Sequence, residues 1–289
     1  MFTAKQLTEK VALSRADRAN YLGVSDHCAH AQRFTFPSKL QLIIGTLNVL
    51  NPAYVYYQSG IPPEGTEIPS WLNMETQAGL EHCPSSDPKR QVERENIIFA
   101  SILEFVLQHP TVVLCLQECW PELDRKLRNS AETLGFTVLS EYDEWKSFRL
   151  MVMRGNFTVH GKQAVGIEDV VVYNVHLPFA TEKTIAEVAA CGQIPSHYDF
   201  VVGDFNVQTK PLSASLIEEG VCTETLTQFA EHFSCSTFAL HPRGWTNWNV
   251  RKNCATPEEN WDHFDNIMLI SVYPVEVEAI DWNVTMPAL

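Results

Sequence analysis

The sequence predicts a mixed α/β (α+β) fold in which two packed, mostly antiparallel sheets are flanked by helices. Short, β-prone apolar runs recur along the 289-residue chain, and several follow one another in hairpin-like succession. Segments with helical spacing of apolar residues separate these runs, and no repeat, low-complexity tract or linker interrupts them. We therefore expect a single domain over residues 1–289, which is long enough to bury a substantial core.

The first part of the chain is predicted to hold a helix, a hairpin and a long insertion. An amphipathic N-terminal helix is expected within residues 1–20. The runs "QRFTF" and "LQLIIGTLNVL" lie on either side of a Pro-containing connector, which favours an antiparallel hairpin. Residues 52–88 are rich in Pro, Gly, Ser and Glu. We expect a long loop or insertion there, of a length that is more often functional than not in a compact domain.

Helices and strands then alternate. "KRQVERENIIFASILEFVLQHP" has helical spacing and ends at His109-Pro110, "TVVLCLQEC" predicts a buried strand, and "ELDRKLRNSAETLG" predicts a helix that Gly135 ends. Four strands are expected next, in "FTVLSEY", "FRLMVMR", "FTVHG" and "DVVVYNVHLP". A helix in "EKTIAEVAACG", a strand in "YDFVVGDFN" and short helices in "PLSASLIEEG" and "TETLTQFAEHF" follow. Strands in "FDNIMLISV" and "VEVEAIDW" close the chain.

Composition restricts the class of function. The formal net charge of −14 disfavours a protein that coats DNA or RNA, because such a surface repels polyanions at long range. A small phosphate substrate bridged by a metal ion is still permitted, because a bound cation reverses the local field. Nothing in the sequence indicates a protein partner.

The cysteines and the N-terminus indicate a reducing compartment. The eight cysteines are widely spread and form no CxxC pair, so we expect free thiols rather than a zinc knuckle or a disulfide framework. The first residues contain scattered charges and no apolar signal core, and no apolar run is long enough to span a bilayer. A cytoplasmic location without a membrane span is therefore expected.

Polar residues stand where several apolar runs end. Each of them alone is most often a turn residue or a solvated side chain. Strand ends at one edge of a sheet converge in space, however, so the set together predicts a site. Carboxylate and amide oxygens suit Mg²⁺, and an imidazole can transfer protons or donate to a phosphate, which favours phosphoryl-transfer chemistry. The residues concerned are Asn48, Gln117, Glu118, Asn174, His176, Asp204, Asn206 and, at the start of a run, Asp265.

Short motifs in a fixed order carry a family resemblance. They are "TLNVL", "LQE", "NVHLP", "GDFN" and "GWTNWN…HFDNIML", and they span residues 43 to 270. On these motifs the chain resembles the endonuclease/exonuclease/phosphatase superfamily, which includes DNase I-like nucleases, abasic-site endonucleases, poly(A)-specific deadenylases and inositol polyphosphate phosphatases. The helix "QVERENIIFASIL" resembles the deadenylase-like branch. The resemblance implies a four-layer α/β/β/α sandwich and a phosphoesterase that depends on Mg²⁺, with Mn²⁺ as a substitute.

The last motif of that superfamily is displaced. Its members close with Ser-Asp-His and a final strand, but the chain after Asp265 contains no such triplet. "VSDHCAHAQRF" near the N-terminus supplies Ser25-Asp26-His27 followed by a β-prone run. Neighbouring chain ends make circular permutation tolerable, so we expect a permuted version of the fold. Three alternatives stay open: an inactive member, replacement of the motif by His263, or a closing motif outside this sequence.

The resemblance implies a role for each matched residue on the metal and water side. Glu118 is expected to be the principal metal ligand, helped by Asn48 and Asp26. Asp204 is expected to orient or activate the attacking water, with Asn206 beside it.

On the phosphate side, His27 is expected to contact the scissile phosphate and to be held by Asp265. His176 is expected to be a second donor to the phosphate or a proton donor to the leaving group. Asn174 and Trp245 are expected to bind substrate.

These roles predict hydrolysis of a phosphodiester bond in a nucleic acid or a small nucleotide. A phosphomonoesterase acting on an inositol phosphate or another small phosphorylated metabolite is one alternative. A catalytically inactive interaction protein on the same fold is the other.

Overall fold

The computed structural model describes residues 25, 27–52, 88–147, 150–166, 170–176, 199–206, 237–239, 247–248, 261–262, 265–269, 275–282 and 284. The predicted N-terminal helix, residues 53–87 of the predicted insertion, and the predicted helices in "EKTIAEVAACG", "PLSASLIEEG" and "TETLTQFAEHF" lie outside the described residues. Within the described residues, no helix is both long and apolar enough to cross a membrane.

Strands dominate the described part of the chain, with two long helices among them. The helices are α1 (Pro88–Gln108) and α2 (Pro121–Leu134). The strands are β1 (His30–Thr35), β2 (Gln41–Asn48), β3 (Val112–Cys119), β4 (Thr137–Ser147), β5 (Leu150–His160), β6 (Val172–His176), β7 (Phe200–Asp204), β8 (Thr237–Ala239), β9 (Asn247–Trp248), β10 (Trp261–Asp262), β11 (Asp265–Leu269) and β12 (Glu276–Ile280).

The strands form two main sheets. The large sheet has six strands in the order β12-β1-β2-β3-β5-β4, and the small sheet has four in the order β6-β7-β11-β8. Strands β9 and β10 form a separate antiparallel pair. The pairs β2–β3 and β6–β7 are parallel, and the other pairs within the two main sheets are antiparallel. The chain therefore has an α+β fold with mixed sheets.

The predicted hairpin is confirmed as β1 and β2. The two strands pair from His30 opposite Thr46 to Thr35 opposite Gln41. On its other side β1 pairs with β12, near the end of the described chain. The strand that follows Ser25 and His27 thus lies between β2 and the last strand.

Both helices pack on one face of the large sheet, where a core forms that we call the helix-side core. Helix α1 contributes Ile98 and Ile102, which recur at the four-residue spacing of one helical face, and α2 contributes Leu123 and Leu127. Helix α2 ends as predicted, because Gly135 adopts the left-handed conformation (φ 78°) and donates its N–H to Ala131 O at 2.8 Å.

The opposite face of the large sheet packs against the small sheet. Phe34 and Ile44 of the large sheet share a buried cluster with Phe200 and Ile267 of the small sheet. Strand β3 is apolar from Val112 to Leu116 because its residues alternate between the two cores: Leu114 belongs to the helix-side core, and the adjacent residues belong to the cluster between the sheets.

Two of the predicted strands, "FRLMVMR" and "FTVHG", are one strand in the structure, so their separation was wrong. Gly155 lies between the two runs and suggests a break, but β5 continues through it. A Cβ atom at Gly155 would lie 2.4 Å from Glu141 O, so the glycine marks a close approach of β4 rather than a turn. The short strands β8, β9 and β10 were not predicted, because two or three residues are too few to show a period.

We expect Gly203→Ala to be strongly destabilising. Gly203 lies just before Asp204 with φ 140°, and a Cβ there would lie 2.0 Å from Val175 O of the adjacent strand. Both the backbone conformation and the parallel pairing of β6 with β7 are then strained, which should cost about 3 kcal/mol in the free energy of unfolding. Chemical denaturation measures this loss.

Gly135→Ala is the matched control, because it also has positive φ but meets only the flexible Lys162 side chain, at 3.6 Å. It should lose about 1 kcal/mol. Equal losses in the two variants would contradict the close contact at Gly203.

Candidate active site

The two parallel strand pairs bring the polar strand ends to one edge. Asn48 ends β2 opposite Gln117 of β3, and His176 ends β6 opposite Asp204 of β7. Asp265 begins β11 opposite Asp204, because β11 runs antiparallel to β7. Since the two sheets pack face to face, these side chains converge, as their positions at strand ends predicted.

The segment before β1 places His27 in this cluster. Ser25 donates its hydroxyl to Asn48 O at 2.6 Å and accepts the backbone N–H of His27 at 3.1 Å. The imidazole is buried, with Nδ1 2.7 Å from Asp265 Oδ2 and Nε2 3.7 Å from Asp204 Oδ2. A carboxylate at Nδ1 fixes that nitrogen as the donor and directs Nε2 towards Asp204.

Asn48 joins two carboxylates instead of presenting an oxygen. Its Nδ2 donates to Glu118 Oε1 at 3.1 Å and to Asp204 Oδ2 at 2.9 Å. Its Oδ1 accepts the backbone N–H of Leu50 at 2.9 Å. In this arrangement the Asn48 amide oxygen accepts a backbone N–H and the amide hydrogens hold the two acids, and the predicted role of Asn48 as a metal ligand stays a prediction.

Glu118 reaches the site through a bulge in β3. Leu116 and Cys119 both belong to the helix-side core, and the register between β3 and β5 shifts between them. Glu118 takes up the extra residue in a left-handed conformation with φ 57°. Its Oε2 accepts the backbone N–H of Asn51 at 3.1 Å. Such a conformation costs a non-glycine residue about 1–3 kcal/mol, and it persists here because both carboxylate oxygens are held.

Asp204 is held on both of its oxygens. Oδ2 accepts from Asn48, and Oδ1 accepts the backbone N–H of Asn206 at 2.9 Å. Asn206 has φ 49°, so its contribution is a tight turn after β7 that fixes the carboxylate. Burial raises the pKa of Asp204, and the nearby imidazoles of His27 and His176 oppose that shift. A buried acid with a raised pKa is a stronger base when it is ionised.

His176 lies between the two acids. Its Nε2 is 3.7 Å from Glu118 Oε1 and 3.6 Å from Asp204 Oδ2. Burial lowers the pKa of His176 to about 4, although the Asp204 carboxylate acts in the opposite direction, and the charge of Arg154 adds to the lowering. His176 is therefore neutral near pH 7, and its ring can donate one N–H hydrogen bond without carrying a charge.

Asn174 belongs to the scaffold between the sheets. Its Nδ2 donates to Leu116 O at 3.2 Å and to Phe157 O at 3.0 Å, and its Oδ1 accepts from Gln117 Nε2 at 2.8 Å. These bonds fasten the middle of β6 across β3 and β5. Both amide hydrogens of Asn174 are donated to the backbone, and its predicted role in substrate binding stays a prediction. Asp26, Trp245 and His263 lie outside the described residues.

Two supporting residues were not predicted. Arg94 of α1 is buried and donates to Val49 O at 2.9 Å and to Leu50 O at 2.8 Å, while its guanidinium lies 5.5 Å from the Trp120 ring centroid. Asn51 binds Glu118 through its backbone and donates its side chain to Met153 O at 3.1 Å. Arg94 could have been found, because it precedes Ile98 by four residues on the apolar face of the helix.

We expect Arg94→Met to destabilise the protein by about 3 kcal/mol, because it leaves two buried carbonyls without their donor. Denaturant unfolding measures the loss. Arg125→Met is the matched control, since Arg125 is exposed on α2, and it should change stability by less than about 0.5 kcal/mol. Equal stability of the two variants would contradict a supporting role for Arg94.

Among the described residues, a cluster of three side chains and a separate carboxylate could hold a cation. The cluster is His27, Asp204 and Asp265, whose possible ligand atoms all lie within 4.8 Å of one another. In that group, however, the 2.7 Å contact between His27 and Asp265 has the length of an N–H···O bond, and the shared proton excludes both atoms from one metal. The carboxylate of Glu118, partly exposed at the strand edge, is the better match to Mg²⁺, which prefers oxygen ligands.

The cluster brings three carboxylates together, those of Glu118, Asp204 and Asp265, and Asn48 connects the first two. A cation bound among carboxylates is stabilised by their negative charge.

Comparison of the chain with protein-family models, with curated proteins and with solved structures gives no match. The chain's own residues therefore carry the functional inference.

Proposed function

We propose that the chain is a Mg²⁺-dependent phosphodiesterase that hydrolyses a phosphodiester bond in a nucleotide or nucleic acid. The observation that carries this proposal is the contact of His27 Nδ1 with Asp265 Oδ2, at 2.7 Å, beside the buried Asp204. Asn48 connects Asp204 to Glu118 in the same cluster. A paired imidazole, a buried base and a separate carboxylate are the groups that hydrolysis of a phosphoester requires.

In this proposal one residue acts on the attacking water, and two histidines act on the scissile phosphate. Asp204, oriented by Asn48 and the Asn206 N–H, positions the attacking water and accepts its proton. His27 donates from Nε2 to a non-bridging oxygen of the scissile phosphate, while Asp265 at Nδ1 fixes the orientation of the ring. His176, which is neutral, donates a second hydrogen bond on the same side.

Glu118 would hold Mg²⁺, or Mn²⁺ in its place, and the bound cation would stabilise negative charge on the phosphate. Asn48 and the Asn51 N–H keep the Glu118 carboxylate in position for that contact. Asp26 stays a predicted helper ligand.

The finer architecture that we propose is the four-layer α/β/β/α sandwich of the endonuclease/exonuclease/phosphatase superfamily in a circularly permuted form. The position of β1 between β12 and β2, directly after Ser25 and His27, supports the permutation. Helices α1 and α2 supply one outer layer. The helices predicted after β6 and after β7 would supply the other.

The test is a panel of labelled RNA, DNA, dinucleotides and phosphoinositides incubated with Mg²⁺, with Zn²⁺ or with EDTA. We expect Mg²⁺-dependent cleavage of a diester and none with EDTA. Release of phosphate from small monoesters alone would favour the phosphomonoesterase alternative. Absence of turnover on every substrate would favour the inactive interaction protein. Activity with Zn²⁺ alone would instead favour a metal site formed by His27, Asp204 and Asp265.

A further inference from the structure

A groove of about 480 Å³ lies beside the candidate active site, within the size range of small-ligand pockets. Its position follows from the way the sheets overlap. Asn174 fastens β6 over β3 and β5, so that β4, the last strand of the large sheet, extends beyond the edge of the small sheet. The groove forms on this overhang, and its walls include Arg128, Leu139, Glu141, Asn156, Thr158 and Tyr173.

The face of β5 that lines the groove also carries Arg154. Phe157 belongs to the helix-side core, so the alternation of side chains along a strand puts Asn156 and Arg154 on the other face. The hydrogen bond from Asn156 Nδ2 to Asn174 O, at 3.2 Å, agrees with this orientation. Arg154 is half-buried and lies opposite Asp143 in the pairing of β4 with β5.

The strand registers place Arg154 at the level of the active site. Strand β5 runs antiparallel to β3, with Phe157 opposite Leu116 and Gly155 opposite Cys119. On β6, Asn174 contacts Leu116 and His176 lies near Glu118, so β6 runs in the same direction as β3 along this part of the site. Arg154, one residue beyond Gly155 on β5, therefore lies near the level of Glu118 and His176.

We propose that the groove binds the nucleoside next to the scissile phosphate, and that Arg154 contacts a phosphate group at the end of the groove that faces the active site. The proposal names the substrate of the phosphodiesterase inferred above and rests on that function. A guanidinium matches the geometry of a phosphate, and Arg154 would provide it beside the groups that act on the diester.

Charge along the groove indicates a short nucleotide rather than a continuous nucleic-acid backbone. Arg154 is on the face of β5 that lines the groove, whereas Arg128 lines the groove from the helix side of β4, where it bonds to Ser140. Three residue steps along the β4–β5 ladder, about 10 Å of strand, separate the level of Ser140 from that of Arg154. Between them Glu141 repels phosphate, while Asn156, Thr158 and Tyr173 offer hydrogen bonds and a ring to a base and a sugar. The net charge of −14 also opposes a long polyanion.

Calorimetric titration with adenosine 3′,5′-bisphosphate, without divalent cations, tests the groove directly. We expect the wild-type protein to bind, and Arg154→Gln to bind roughly tenfold more weakly, because a charge-assisted contact is lost. Tyr173→Ala should weaken binding by a similar factor. Arg125→Gln is the matched control, because Arg125 is exposed on α2 and lies outside the lining of the groove, and it should bind like the wild type.

The outcomes separate the groove from the catalytic function. Thermal unfolding shows which variants are folded. If Arg154→Gln is not folded, the affinity of Tyr173→Ala for the bisphosphate tests the proposal instead. The proposal that the groove binds a nucleotide would be contradicted if the wild-type protein did not bind the bisphosphate. It would also be contradicted if a folded groove variant bound it as tightly as the wild type. Hydrolysis of bis(4-nitrophenyl) phosphate with Mg²⁺ tests the phosphodiesterase separately. Binding without turnover would reject the phosphodiesterase and leave a nucleotide-binding groove, whereas turnover without such binding would reject the groove alone.

Discussion

Replacing Glu118 with glutamine should lower Mg²⁺-dependent phosphodiester hydrolysis by roughly a thousandfold, which is about 4 kcal/mol of transition-state stabilisation. The bulge in β3 and the left-handed conformation of Glu118 direct its carboxylate to the strand edge, where Asn48 and the Asn51 N–H hold it. Glutamine keeps the size of the side chain but removes the negative charge that a hard cation requires. Initial rates over a Mg²⁺ titration measure the effect.

Glu95→Gln provides the matched control for this experiment. Glu95 is another partly buried carboxylate, which accepts Trp120 Nε1 at 3.2 Å and pairs with Lys126 away from the site. Its substitution should leave the rate within about twofold, as expected for a residue outside the site. A folded Glu118→Gln variant with the wild-type rate at saturating Mg²⁺ would remove Glu118 from the metal site.

Local sequence signals predicted those parts of the fold that neighbouring residues determine. The hairpin of β1 and β2 follows from two apolar runs and a short connector, and the end of α2 follows from Gly135. The convergence of Asn48, Asp204 and Asp265 was also predictable, because strand ends at one edge of a sheet meet in space.

The sequence could not predict side-chain roles that depend on contacts with backbone groups far away in the chain. Asn174 reads as a polar strand end like Asn48, but its amide hydrogens go to carbonyls of Leu116 and Phe157, which belong to two other strands. The conformation of Glu118 likewise depends on the register between β3 and β5, which no local pattern encodes. The runs on either side of Gly155 were predicted as separate strands for the same reason, since the close contact of Gly155 is with Glu141 on the neighbouring strand.

The second large effect is expected at the pair formed by His27 and Asp265, which are 238 residues apart in the chain. Asp265→Asn and His27→Ala should each lower the rate by roughly a thousandfold, within the range of general acid–base contributions. The double variant should be little slower than either single variant, because each change disables the same unit. His109→Gln is the matched control, since His109 follows α1, away from Glu118 along β3, and its rate should be unchanged.

A purely structural role for Asp265 would give a different pattern, because Asp265 is fully buried and opposes Asp204 in the sheet. Loss of stability would then accompany loss of rate in Asp265→Asn, whereas His27→Ala would leave the rate nearly unchanged. Unfolding midpoints of all the variants separate the two cases. Proton NMR adds an independent readout, since the Nδ1–H of His27 bonded to a carboxylate should give a strongly downfield resonance that Asp265→Asn removes. Multiplication of the two single effects in the folded double variant would show that the residues act independently, and the pair would then not be the unit that holds the phosphate-side imidazole.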